Sequence, residues 1–152
     1  MIDHCERAYQ KHKQGYNCAQ SVLAAFSDLT GLTDEQAVSV SGAFGGGVGS
    51  SHEELCGAIS GGLMTLGLLY PYKDPEKSQE KKTLYQLARD FRSRFQNTFH
   101  ATVCSQLLSA KPGISDQTPA AARMGITAHC DIMIVTAAEI VEKMLRERGT
   151  IA

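Results

Sequence analysis

An all-α, single-domain helical bundle is the architecture this chain predicts. Apolar residues recur at helical spacing along nearly its whole length, and Ser, Thr, Asn or Asp stands before most of these runs as a capping residue. At 152 residues, with 43% apolar and 20% charged side chains, the chain has the size and composition of one soluble domain with a substantial core. No repeat, low-complexity tract or linker divides it, so residues 1–152 read as one unit of six or seven helices.

The first helix runs from Asp3 to about Lys13 and stops before Gly15. A second begins at Asn17, places Cys18, Val22, Phe26 and Leu29 on one face, and ends near Gly31. Thr33-Asp34-Glu35-Gln36 has the spacing of a capping box and opens a third helix to about Ser41. The alternation Val38-Ser39-Val40-Ser41 is too short, and too isolated, to argue for a strand. A glycine-rich loop, Gly42 to Gly49, leads into a central helix predicted from about Ser51 to Leu69, its start marked by the capping-box spacing of Ser51 and Glu54. Pro71 and Pro75 break the chain. A charged helix from about Glu76 to Gln96 then carries Leu84, Leu87, Phe91 and Phe95 as its buried stripe. A short helix covers Thr102 to Leu108, and Pro112-Gly113 opens a loop of roughly fifteen residues. The last helix, Thr127 to about Arg148, aligns Cys130, Ile134, Ala137, Val141 and Leu145.

Charge and hydropathy exclude several functions. A net charge of −1 without a basic stripe gives no reason to expect nucleic acid. Residues 55–72 carry no formal charge, but their glycines and Pro71 suit a buried helix better than a membrane span. The charged N-terminal stretch lacks the apolar region of a signal peptide, which points to the cytoplasm, where thiols stay reduced.

The chemistry lies in the cysteines. Cys18, Cys56, Cys104 and Cys130 each fall at a predicted helix start, where the dipole favours thiolate over thiol. Each also shares a face with apolar residues, so any one alone is ordinarily core packing. Their separations match no paired C-x-x-C motif. Cys5 also falls near a helix start. Converging, the four would form a thiolate cluster; Gly57, Gly61 and Gly62 leave two small ridges by which other helices can approach Cys56. The loop Gly45-Gly46-Gly47 reads as a backbone wall beside such a centre. It lacks the Lys-Ser/Thr ending of a phosphate-binding loop. His52-Glu53-Glu54-Leu55-Cys56 resembles a zinc-hydrolase helix but ends in cysteine, which leaves His52 as an auxiliary ligand or nearby acid. His129 is expected about 100° around the helix from Cys130.

Cys56-Gly57-Ala58-Ile59-Ser60-Gly61 matches Cys-Gly-Ala-x-x-Gly. With Gly15-Tyr16-Asn17-Cys18-Ala19-Gln20, Phe44-Gly45-Gly46-Gly47, Glu54, Leu66-Gly67-Leu68, Cys104 and Cys130, the chain resembles the C_GCAxxG_C_C family of bacterial proteins. That family is described as redox-active on the strength of four characteristic cysteines, and Cys5 lies outside the set. The resemblance brings no substrate. Cys18, Cys56, Cys104 and Cys130 are thus the expected catalytic or metal-binding residues, with Gly45, Gly46, Gly47, Gly57 and Gly61 around the cofactor. They would hold an iron–sulfur cluster or another thiolate-bound metal, or cycle through disulfides. The alternatives are a structural zinc site or a plain helical interaction protein. The sequence does not identify the redox partner or establish enzymatic activity, and it leaves homo-oligomer formation open.

Overall fold

Asp3 starts the first helix by accepting a hydrogen bond from the Glu6 amide on its side chain. Helix α1 spans His4–Lys13 and ends in the basic residues Lys11, His12 and Lys13, and the lysine charges suit the negative pole of a helix. The computed structural model describes residues 1–113 and 116–152. Helix α2, Cys18–Ala25, opens with a full capping box between Asn17 and Gln20. The expected continuation to Gly31 is interrupted at Phe26, and a short α3, Ser27–Thr30, ends on Gly31 in the left-handed region. The capping box of Thr33 and Gln36 opens α4, Asp34–Ser41, so the alternation at residues 38–41 is helical.

A 3-10 turn at Gly42–Phe44 leads into a strap, residues 45–56, before the buried central helix α5, Gly57–Leu69. Helix α6, Ser78–Phe99, buries Leu87, Phe91, Phe95 and Phe99 along one stripe, a turn beyond the expected end at Gln96. Helices α7, Cys104–Ala110, and α8, Pro119–Arg123, follow. Helix α8 occupies part of the stretch expected to be loop, with Pro119 in the first turn where its missing N–H costs nothing. Two other residues of that expected loop, 114 and 115, lie outside the described residues. The last helix, α9, is His129–Glu147.

The described residues thus form nine α-helices where six or seven were expected, α3 and α8 being single-turn pieces below the reach of periodicity. Helix α2 packs against α1, α4 and α5, and α9 against α1, α2, α5, α6 and α8. Phe26, Phe91, Phe95, Ile59, Leu66, Ile132, Ile134 and Leu145 fill the space between them. Among the described residues, no helix is long and apolar enough to cross a membrane.

The main departure lies before α5. Ser51 to Cys56 is not helical, and Ser51 caps nothing: its hydroxyl donates to the Gly47 carbonyl and accepts from the Glu53 amide. The segment spends its backbone groups on the start of α7. Cys56 N donates to Thr102 O (2.8 Å), Cys104 N to Glu54 O (2.9 Å) and Ser105 N to His52 O (2.8 Å), around an antiparallel bridge between Leu55 and Val103. Pairing across nearly fifty residues outcompetes a local capping box, and no local spacing predicts it.

Candidate functional site

Those backbone bonds set Cys56 and Cys104 side by side. Cys56 is the N-cap of α5, Cys104 the first residue of α7, Cys18 the first of α2 and Cys130 the second of α9. All four border a single cavity of about 110 Å³, together with His52, Gly46 and Gly57. Ala58, Leu107, Leu108, Met133 and Ile134 complete its walls, so the sulfurs and His52 are the polarisable groups in an apolar lining. Of these four helix starts, only that of α2 carries its expected cap, Asn17. Helices α5, α7 and α9 start at Cys56, Val103 and Ala128 with no side-chain cap, so Thr102 and Thr127 do not serve.

The glycines divide by position. A β-carbon at Gly57 would collide with the Cys18 sulfur, so this glycine lets Cys18 reach across α5. Gly46 borders the cavity, and Gly47 lies against the Cys104 β-carbon, where a side chain would come within 2.6 Å. Gly45 and Gly61 do not line the cavity. Gly45 faces the Asn17 side chain, and Gly61 faces the Ala19 carbonyl of α2 at 2.7 Å from where its β-carbon would be.

Electrostatics correct the expectation of a favoured thiolate at three of these helix starts, those of Cys56, Cys104 and Cys130. Burial pushes the Cys56 thiol up to about 12, reinforced by Cys18, while the Ala58 and Ile59 amides act more weakly the other way. Burial and the neighbouring Cys18 also raise Cys104 and Cys130. Desolvation of an anion outweighs a helix terminus here. A bound cation would reverse the balance, because coordination deprotonates a thiol outright.

His52 is not part of α5, so it does not share a helical face with Cys56. It stands at the cavity's edge with a left-handed backbone (φ +64°), its Nδ1 3.3 Å from the Cys104 Sγ. His129 is half-buried and does not line the cavity.

Cys5 lies elsewhere, fully buried, its S–H donating to Glu142 Oε1 at 3.1 Å. Among the described residues, the group whose potential ligand atoms all lie within 4.8 Å of one another is Asp3, Cys5 and Glu142. Each of these is already engaged: Asp3 caps α1 and pairs with Arg123, and Glu142 accepts from His4 and Cys5. No three of the cavity's sulfurs approach one another that closely.

Sequence reasoning placed Ile134 on the face of Cys130 but did not name Leu107, Leu108 or Met133 as part of the wall. Leu107 and Leu108 follow Cys104 by three and four residues, and Met133 and Ile134 follow Cys130 likewise. That spacing places them on the cysteine's own helical face, a signal that was available.

A family described as "putative redox-active protein (C_GCAxxG_C_C)" matches residues 16–144, a span that includes all four cavity cysteines and excludes Cys5. No curated protein and no solved structure matched the chain.

Proposed function

Because the chain belongs to the C_GCAxxG_C_C family, we propose that Cys18, Cys56, Cys104 and Cys130 together hold an iron–sulfur cluster, making it an electron-transfer protein. One observation carries the reading: four sulfurs from four helix starts border one apolar cavity. Its volume of about 110 Å³ is well above the ~10–15 Å³ that admits a single water. A lone tetrahedral zinc ion requires sulfurs about 3.8 Å apart, from Zn–S bonds of ~2.3 Å. No three of these sulfurs lie within 4.8 Å of one another, so their positions do not form a closed single-ion site.

The bound cluster would supply one-electron transfer. The protein's own contribution is to position and enclose it. Gly57 gives Cys18 room, the pairing of residues 52–56 with 102–105 fixes Cys56 beside Cys104, and Leu107, Met133 and Ile134 supply an apolar wall. Thiol–disulfide cycling with Cys56 as the nucleophile is less well supported, because burial pushes that thiol up to about 12 and leaves it slow at neutral pH.

The test is anaerobic reconstitution with ferrous iron and sulfide, followed by visible absorption and iron and sulfide analysis. Wild type should absorb in the visible and retain both. Cys56→Ser should lose more than half of that content, whereas Cys5→Ser, outside the cavity, should match wild type. A colourless protein that retains zinc alone would refute the cluster.

A further inference from the structure

We infer that His52 is a positioning residue whose Nδ1–H hydrogen bond to the Cys104 sulfur sets the potential of the centre. The inference rests on the cluster reading above and goes beyond it by assigning a role to a residue that is not a ligand.

Geometry supports this in three ways. First, the ring nitrogen lies 3.3 Å from Cys104 Sγ, within hydrogen-bond reach of sulfur. Second, the backbone holds His52 fixed: its amide donates to Gly46 O at 2.9 Å, and its carbonyl accepts from Ser105 at 2.8 Å. Those bonds reach the strap on one side and the first turn of α7 on the other, so the ring is registered against Cys104 itself. Third, the left-handed backbone at His52 (φ +64°) sets this residue at the cavity's edge, off helix α5.

Chemistry then decides the direction of the bond. A free Cys104 thiol can donate its proton to Nδ1, but a cluster-bound thiolate has no proton and only accepts. In the loaded protein the imidazole must carry its proton on Nδ1 and donate. A hydrogen bond to a ligating sulfur withdraws charge from the cluster and favours the reduced, more negative state. Deleting the donor should therefore lower the midpoint potential. A hydrogen bond to a charged acceptor is worth about a tenfold change in equilibrium, which is ~59 mV for a one-electron couple.

The experiment compares midpoint potentials of reconstituted wild type, His52→Gly, His52→Ala and His52→Asn, each normalised to cluster content. Asparagine keeps an N–H donor near Nδ1 and tolerates the left-handed backbone. Glycine relieves the backbone but removes the donor, and alanine removes the donor without that relief. The expected result is a drop of about 59 mV in both the glycine and alanine variants, with asparagine near wild type. Agreement between glycine and alanine isolates the N–H from the backbone. A wild-type protein that loads normally, with glycine and alanine variants at its own potential, overturns the role of His52 and leaves the cluster standing. Potentials that follow backbone relief, with asparagine and glycine together and alanine apart, overturn it equally. A wild type that takes up no iron or sulfide overturns both readings.

Discussion

Adding one methyl group at Gly61 tests how the central helix is seated. A β-carbon there would lie 2.7 Å from the Ala19 carbonyl oxygen and 3.0 Å from the Val22 β-carbon, both on α2. Backbone cannot swing aside as a side-chain tip can, so α2 and α5 must separate or tilt. Overpacking of this kind costs about 1–3 kcal/mol, against a gain of up to ~1 kcal/mol from replacing a helical glycine. The balance is a loss of about 1 kcal/mol, or roughly 2–4 °C in melting temperature for a chain of this size. Gly67 provides the control within the same helix, since nothing lies within 4 Å of its missing β-carbon. There only the propensity gain remains, and Gly67→Ala should melt higher than wild type. Circular dichroism melts of Gly61→Ala and Gly67→Ala measure both effects. If Gly61→Ala also melts higher, α2 and α5 are not in the close contact on which the cavity's geometry depends.

Two further outcomes follow from groups outside the cavity. His4 stacks on Phe26 with ring centroids 4.4 Å apart, and its ring nitrogens meet Glu142 (3.2 Å) and Asp28 (3.0 Å). Burial opposes its charge, but the two carboxylates prevail and raise its pKa above the ordinary 6.5. The resulting stability is fully present below 6.5 and is lost as pH rises through the folded value. Melting temperature should therefore fall above that point, and His4→Gln should flatten the slope; an unchanged slope would show that another group titrates. Separately, Asn17→Ala removes both the cap of α2 and the Asn17 Nδ2 bond to the Gly42 carbonyl. Cap loss costs about 1 kcal/mol, and urea unfolding should show at least that; a variant as stable as wild type would mean the cap is idle.

The bundle was legible because its information is local. Apolar residues at helical spacing, the cap at Asn17 and the box at Thr33 fall where the helices begin. Ser51 and Thr102 carry the same signal and cap nothing, because the chain around Cys56 and Cys104 pairs with itself across a long separation, and Thr127 caps nothing either. The same pairing explains why His52 could not be placed from its spacing to Cys56. The cysteines themselves were visible, since each begins an apolar helical face. Their ionisation was not, because burial depends on what the other helices bring to the cavity. Val48, with φ +68° at a β-branched residue, lies still further from local preference.

That the cavity draws one wall from each of four helices has a consequence during synthesis. Cys18, Cys56 and Cys104 leave the ribosome first, yet α9 supplies Cys130, Met133 and Ile134 near the end of the described chain. Until α9 docks on α1, α2 and α5, the cavity lacks that fourth wall and its sulfur. A four-cysteine centre of the kind proposed would therefore be completed only once the last helix is in place, and its occupancy would report on that docking.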